Sequence, residues 1–392
     1  MNGSEHMMKT YAPLDVCFDR GEGAWLFDDK GTKYLDALSG IAVCGLGHAH
    51  PAVTRAIQAQ AEKLLHTSNL YAIPNQQQLA NQLCEISAMD RVFFSNSGAE
   101  ANEAAIKLAR LYGNQQNIDN PSIIVTDGSF HGRTLATLSA TGNRKVQAGF
   151  EPLVHGFIRA PYNDIDAIRN IAQNSHSVVA ILVEPIQGEG GINIPDENYL
   201  NELRAICDEH NWLLMLDEIQ TGMGRTGEWF AFQHSKIKPD VMTLAKGLGN
   251  GVPIGACIAQ GKAAELFQPG NHGSTFGGNP LTCAAAGAVV DTITQEKLCQ
   301  RAAQLGTKML KAFESRLATV EDVKAIRGKG LMLGIELDRD CPELVALALH
   351  QHCLINVTAG NTVRLLPPLI MSDEQADTVV NTVCTLIEDF LK

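Results

Sequence analysis

Two residues of this chain are best placed for chemistry: an aspartate that ends one apolar run and a lysine just past the end of another. Trp212 to Leu216 is continuously apolar, which suits a strand buried on both faces of a parallel sheet, and Asp217 closes it. Val241 to Leu244 is a second such run, followed by Lys246 in a glycine-rich loop. In open α/β sheets the ligand lies outside the carboxyl ends of the strands, so both charges would face one crevice. An amine and a carboxylate so placed are what pyridoxal 5'-phosphate requires: the amine to condense with its aldehyde, the carboxylate to keep its pyridine nitrogen protonated as an electron sink. Each also has a plainer reading, Asp217 as the cap of the following turn and Lys246 as a solvated loop charge. Neither plain reading accounts for the polar Gln220 one turn after Asp217.

Other strand ends carry further candidates. Arg91 to Phe94 reads as a strand running into Ser95-Asn96-Ser97-Gly98-Ala99-Glu100 and an alanine-rich helix to Leu111. Ser97 with Glu100 three residues later is a capping box, and the amides of Ser97, Gly98 and Ala99 could receive a phosphate at the positive helix end; a capped helix and nothing more is the alternative. Ser122 to Thr126 is a strand opening on Phe130 and Arg133. Phe130 could stack on a flat cofactor and Arg133 could grip a carboxylate, unless the first folds onto the core and the second is a surface charge. Val178 to Val183 is a buried-type strand, and the glycines around Glu189 beyond it allow close approach of a ligand. Tyr199 to His210 is helical, and this alternation of strand and helix from Arg91 to Ala256 indicates a mostly parallel, doubly wound sheet.

The flanks differ in pattern. Gly21 to Leu38 holds a hairpin signal at Asp-Asp-Lys-Gly, and a helix from Ala52 to Leu65 begins at Pro51. Gly255 to Ala259 is a short strand, and Asn279-Pro280 starts a helix from Leu281 to Ile293. Beyond lie an amphipathic stretch to Leu317, a strand-like Leu331 to Leu337, a helix near Glu343 to His352, the strand bearing Arg364 and a final helix, together a separate α+β unit. A buried Arg364 needs a carboxylate partner.

Composition narrows the class. A chain of 392 residues with 45% hydrophobic and 19% charged content suits a soluble globular protein, and a net charge of −12 argues against nucleic-acid or anionic-membrane partners. Ten scattered cysteines without CxxC pairs suit reduced thiols, and twelve dispersed histidines without HExxH lead us to expect no metal. With no signal-peptide pattern and no apolar run of spanning length, the expected location is the cytoplasm. MNGSEHM at the start resembles a cloning remnant, which would place the natural start at Met7 or Met8.

The segments GIAVCGLGHAHP, FFSNSGAEANEAAIKLAR, FHGRT, VEPIQGEGG, LDEIQTGMGRTG, TLAKGLGNGVPIGA, HGSTFGGNP and VRLLPP resemble, nearly end to end, the class-III (ornithine-type) aminotransferases of pyridoxal-phosphate fold type I. The resemblance implies a large cofactor-binding domain at 61–290 and a smaller α+β domain at 291–392, joined by the N-terminal segment 1–60. It implies Lys246 and Asp217 as the catalytic pair, with Gln220 at the phenolic oxygen and Phe130 and Ile219 on the two ring faces. Ser97, Gly98 and Ala99 would hold the phosphate, aided by Thr275 of a second subunit, which makes a homodimer with shared sites. Arg133 resembles the clamp for the donor's α-carboxylate, Arg364 the site of the 2-oxoglutarate carboxylate, and Glu189 the switch that pairs with Arg364 when a donor lacks that group. Ser274 would stand beside the donor. The implied reaction moves a terminal amino group from N-acetylornithine to 2-oxoglutarate, in arginine biosynthesis. Ile41 stands where ornithine aminotransferases carry a large aromatic, which disfavours free ornithine. Cys44 replaces an expected polar residue, so succinylornithine, succinyl-diaminopimelate and 4-aminobutyrate stay open as donors.

Three rival readings meet specific obstacles in the sequence. Gly222-Met-Gly224-Arg-Thr-Gly227 fits a dinucleotide fingerprint by letter, yet Asp217 and Glu218 intervene between strand and glycines, and no second strand ends in the acidic residue that motif needs. A decarboxylase or aminomutase could use the same lysine and aspartate, but the Glu189 and Arg364 pair favours transamination. A vestigial binding module would not keep every catalytic position filled.

Overall fold

The computed structural model describes residues 6–392. The suggested cloning remnant falls largely on residues 1–5, outside the described residues. The strands β1 (Phe18–Glu22), β2 (Trp25–Asp28) and β3 (Lys33–Asp36) form an antiparallel meander. Its expected hairpin turn is held by Asp28, whose Oδ1 accepts from the backbone of Lys30 at 3.0 Å and Thr32 at 2.7 Å.

The central sheet comprises β4 (Arg91–Ser95), β5 (Ser122–Thr126), β6 (Phe157–Ala160), β7 (Val178–Val183), β8 (Leu213–Asp217), β9 (Val241–Leu244) and β10 (Gly255–Ala259). Their order is β4-β10-β9-β8-β7-β5-β6, parallel except for β10, which opposes both neighbours. Every residue of β5, β7, β8, β9 and β10 is buried, because apolar side chains on both faces are covered by helices. Alternation along β8 sends Leu214 and Leu216 into one core and Leu213 and Met215 into another, under the helix Gly98–Gln115. Asp217 continues the second set, so its carboxylate points at that helix.

The C-terminal sheet is antiparallel and ordered β11 (Val323–Lys329), β12 (Met332–Leu337), β15 (Thr362–Leu365), β14 (Asn356–Thr358). The remaining strand, β13 (Cys353–Leu354), pairs with β3, so the two ends of the chain meet in one sheet. Val363 and Leu365 enter the main core, which turns Arg364 to the opposite face, toward the loop after β7. The expected helix at 52–65 runs Pro51–Ala61, stopping before the exposed Leu64 and Leu65. Among the described residues, no helix is long and apolar enough to cross a membrane.

Candidate active site

The carboxyl ends of β4, β5, β7, β8 and β9 open on one cavity of about 400 Å3. Lys246, Asp217 and Gln220 line it together. Asp217 is buried and held on three sides: its Oδ2 accepts from His131 Nδ1 and from Asn102 Nδ2, each at 2.8 Å, and its Oδ1 from the backbone of Ile219 at 3.1 Å. Asn102 is oriented in turn by Thr243 Oγ1, which donates to Asn102 Oδ1 at 2.8 Å. Thr243 is the cross-strand neighbour of Asp217, so the triangle closes on two adjacent strands and one helix. Among the described residues, none is a hydrogen-bond partner of the buried His131 Nε2.

Lys246 follows β9 with φ of +43°, a left-handed conformation that strains a residue with a Cβ and turns the chain into a short 3-10 helix. Burial of its amine lowers the pKa below the ordinary lysine value; Arg364 pushes the same way, against the carboxylates of Glu189, Asp217 and Glu184. These charges therefore surround one amine.

At the β4 end, Ser97 caps the helix by accepting from the Glu100 backbone at 3.2 Å, while the Glu100 carboxylate reaches back to the Asn96 amide at 2.6 Å. The box thus closes one residue earlier than the usual pattern. Ser97, Gly98 and Ala99 line the cavity, and a Cβ on residue 98 would lie 2.7 Å from Ile219, so glycine there lets Ile219 pack over the helix start. Phe130 and Ile219 both line the cavity, and the Arg133 guanidinium lies 5.7 Å from the Phe130 ring centre.

Glu189 lines the cavity and pairs with Arg364: Nη1 to Oε1 is 2.5 Å. Arg364, 1% exposed, also donates to Asn356 Oδ1 at 2.7 Å and approaches Gln220 Oε1 at 3.4 Å. Burial alone would raise the Glu189 pKa, but the Arg364 charge holds it below the ordinary carboxylate range. A Cβ on residue 188 would meet Gln220 Oε1 at 2.3 Å, so Gly188 is required for that approach.

Besides Arg364, which reaches the cavity through Glu189, three candidates lie off it in the single chain. Thr275 is exposed, and Ser274 reaches the wall only through Asn96, whose Nδ2 donates to Ser274 Oγ at 3.1 Å. Ile41 packs beside the small apolar cluster of Ala42, Ile186, Ile192, Met332 and Leu366. The glycines of Gly222–Gly227 open no helix; they run through turns into a 3-10 helix, and Arg225 between them donates to Leu331 O and Pro367 O. That geometry removes the dinucleotide reading.

Sequence reasoning missed Asn102, His131, Glu184 and Asn356. Glu184 is a buried carboxyl accepting from the backbones of Phe130 at 2.8 Å and Gly188 at 3.1 Å, and burial raises its pKa. Asn102 had one signal: it is the polar residue among the buried Ala101, Ala104, Ala105 and Ile106.

The sequence profile described as Aminotransferase class-III matches residues 6–387. The chain belongs to the class-III aminotransferases. As an aminotransferase of this family it uses pyridoxal 5'-phosphate, and its mostly parallel central sheet is that of fold type I. The residues fit that cofactor: a buried carboxylate held by three hydrogen bonds and an amine of lowered pKa share one cavity with a helix start. The acetylornithine aminotransferase of Nitrosomonas europaea is 59% identical over 387 residues, 99% of this chain and 98% of that protein. The acetylornithine aminotransferase of Aquifex aeolicus is 48% identical, covering 96% and 98%. Among solved structures, the ornithine aminotransferase of Toxoplasma gondii ME49 matches with a TM-score of 0.95 at 34% identity, covering 98% of this chain and 93% of that one.

Proposed function

We propose that this aminotransferase moves the terminal amino group of N-acetylornithine to 2-oxoglutarate, leaving N-acetylglutamate semialdehyde and glutamate, a step of arginine biosynthesis. The observation that carries the reading is the Glu189–Arg364 pair beside the cavity shared by Lys246 and Asp217. A site that exchanges two substrates in turn needs a cation for the carboxylate beside the acceptor's keto group and a way to neutralise it for a donor whose reacting end carries none. Relatives named for acetylornithine, 45–59% identical over nearly the whole chain, support the donor. The uncharged rim of Val43, Gly251, Val252 and Pro253 suits an acyl amide.

When bound, the cofactor would supply an aldehyde carbon to carry the amino group and a ring to store the electron pair. Lys246 holds the cofactor. Burial lowers its pKa below the ordinary lysine value, which favours the free amine, so Nζ takes the proton from the donor carbon that bears the amine and returns one during the second half. Asp217, held by His131 and Asn102, keeps the pyridine nitrogen protonated. Gln220 would donate to the phenolic oxygen, Phe130 and Ile219 would cover the two ring faces, and Ser97, Gly98 and Ala99 would present amides to the phosphate. Arg133 clamps the donor's α-carboxylate; Ser274 stands beside the donor and Ile41 beside the path to it.

A homodimer completes the site, with Thr275 reaching the partner's phosphate. An exposed apolar surface of Leu64, Leu65, Leu70, Tyr71 and Phe276 adjoins that loop, and Asn69 ties the two segments by donating to Ser274 O at 3.0 Å and Gly277 O at 3.1 Å. We assign a large domain to 61–290 and a small one to 291–392 with 1–60 joining it. All ten cysteines are free thiols, which supports the cytoplasm.

The test is a visible absorbance titration of the cofactor-loaded protein. Loss of the lysine-bound cofactor's band at low N-acetylornithine, and its return with 2-oxoglutarate, is the expected result. A stronger response to ornithine or 4-aminobutyrate would change the donor, and no response to any amine would overturn the reading.

A further inference from the structure

The main chain that carries Glu189 is held by side chains, carbonyl by carbonyl. Glu189 O accepts from Thr358 Oγ1 at 2.5 Å, Gly190 O from Asn193 Nδ2 at 3.0 Å, Gly191 O from Arg327 Nη2 at 2.6 Å and Ile192 O from Arg327 Nε at 2.8 Å. Thr358 stands on β14 and Arg327 on β11, the two edge strands of the C-terminal sheet, whereas the loop leaves β7 of the central sheet. Arg327 is itself fixed by Glu336 Oε2 on β12 at 2.5 Å. The base of the loop is closed by the paired backbones of Gln187 and Asn193, at 3.1 and 3.0 Å. Ile192, fully buried with φ of +55°, packs on Gly334, where a Cβ would come within 2.9 Å of it. Two sheets are thus riveted through one loop, and the Glu189 side chain is the part of it that faces the cavity.

We propose that Arg327, with Thr358 as a second anchor, is a positioning residue for substrate exchange: it fixes the main chain of the loop, so that Glu189 leaves and rejoins Arg364 by rotation of its own side chain. The proposal rests on the reading of Glu189 and Arg364 as the substrate switch. With the backbone fixed, re-forming the pair orders one side chain. With the anchors gone, several residues of loop must be ordered each time, and the paired state loses population. Arg364 keeps its own support from Asn356, so it stays in place when the loop loosens. The loss is therefore one-sided. The paired state serves the donor, which has no carboxylate for Arg364, and the open state serves 2-oxoglutarate.

The test follows each half-reaction separately in the cofactor-loaded enzyme by single-turnover absorbance. In Arg327→Ala, kcat/KM for N-acetylornithine should fall about tenfold while that for 2-oxoglutarate changes less than about twofold. Arg327→Lys keeps the charge but loses the two-pronged grip and should lie between, and Thr358→Val should shift the ratio in the same direction by less. Equal losses in both halves would overturn the proposal. If Arg327→Ala does not fold, an unchanged ratio in Arg327→Lys and Thr358→Val would overturn it as well. Wild-type enzyme that responds to neither substrate would overturn the switch reading itself, an outcome distinct from an unshifted ratio in the variants.

Discussion

Lys246 and Asp217 stand at the ends of neighbouring strands of one sheet, whereas Glu189 and Arg364 come from different sheets and lie 175 positions apart. The first pair is placed by local chain: a buried strand ends, and the next residues face the cavity. Its position is rigid because β8 and β9 are hydrogen-bonded to each other and buried on both faces. The second pair is placed by the packing of one sheet against a loop of another, and the proposed function requires it to separate. Under the proposed function, chemistry common to both substrates sits on the rigid wall, and discrimination between them sits across the joint.

Substitutions on the rigid wall should therefore strike both half-reactions, and those across the joint should strike one. The largest effect is expected for Lys246→Ala, which should cut turnover in both directions by at least about a thousandfold while the protein still retains cofactor; stopped-flow absorbance of each half-reaction checks it, and appreciable residual turnover would remove the assignment. Arg364→Ala should lower kcat/KM for 2-oxoglutarate by about a hundredfold more than for the amine donor, because a buried cation is lost opposite a carboxylate. Equal losses would place Arg364 on the rigid side of the comparison. Arg133→Ala, at an exposed residue, should weaken the donor half-reaction by about tenfold and the acceptor half less, read from the same traces.

The smallest effect concerns neither wall. His48 Nε2 meets Asp36 Oδ2 at 2.7 Å where the N-terminal sheet joins the body. Burial would lower the histidine pKa, but Asp36 and, after it, Cys44 override that and raise the value from 6.5 to about 9. A raised folded-state pKa means stabilisation that is whole below pH 6.5 and lost as pH rises through about 9. His48→Gln should remove about 1–2 kcal/mol of stability at pH 6 and much less at pH 9.5, measured by denaturant unfolding at both, with the substrate ratio unchanged. A variant equally destabilised at both pH values would show that the pair's charge is not what matters there.

The central strands were legible where burial is complete. β5, β7, β9 and β10 have the bounds their sequence runs suggest, because a strand covered on both faces has no solvent-facing positions to break the run. Edge strands were harder to see. β6 and β11 are half-buried along most of their length, so their sequences carry neither a continuous run nor a clean alternation. The polar helix Pro74–Ser87 was missed for a related reason, having three buried residues among its fourteen.

By itself, the sequence determined the strand ends and the residue types that stand on them: Asp217, Lys246, the Ser97 cap and the Phe130 loop. These follow from nearest-neighbour chain geometry, in which a strand end decides which residue emerges at the sheet edge. Only the tertiary structure decided that Asn102 and His131 converge on Asp217, that Arg364 finds Glu189 as its carboxylate, and that Arg327 and Thr358 hold the loop between them. Each of those side chains has an ordinary local reading. Their roles arise from a cost that exists only after folding: a buried charge or carbonyl must be met by a partner, and the partner's distance along the chain does not matter.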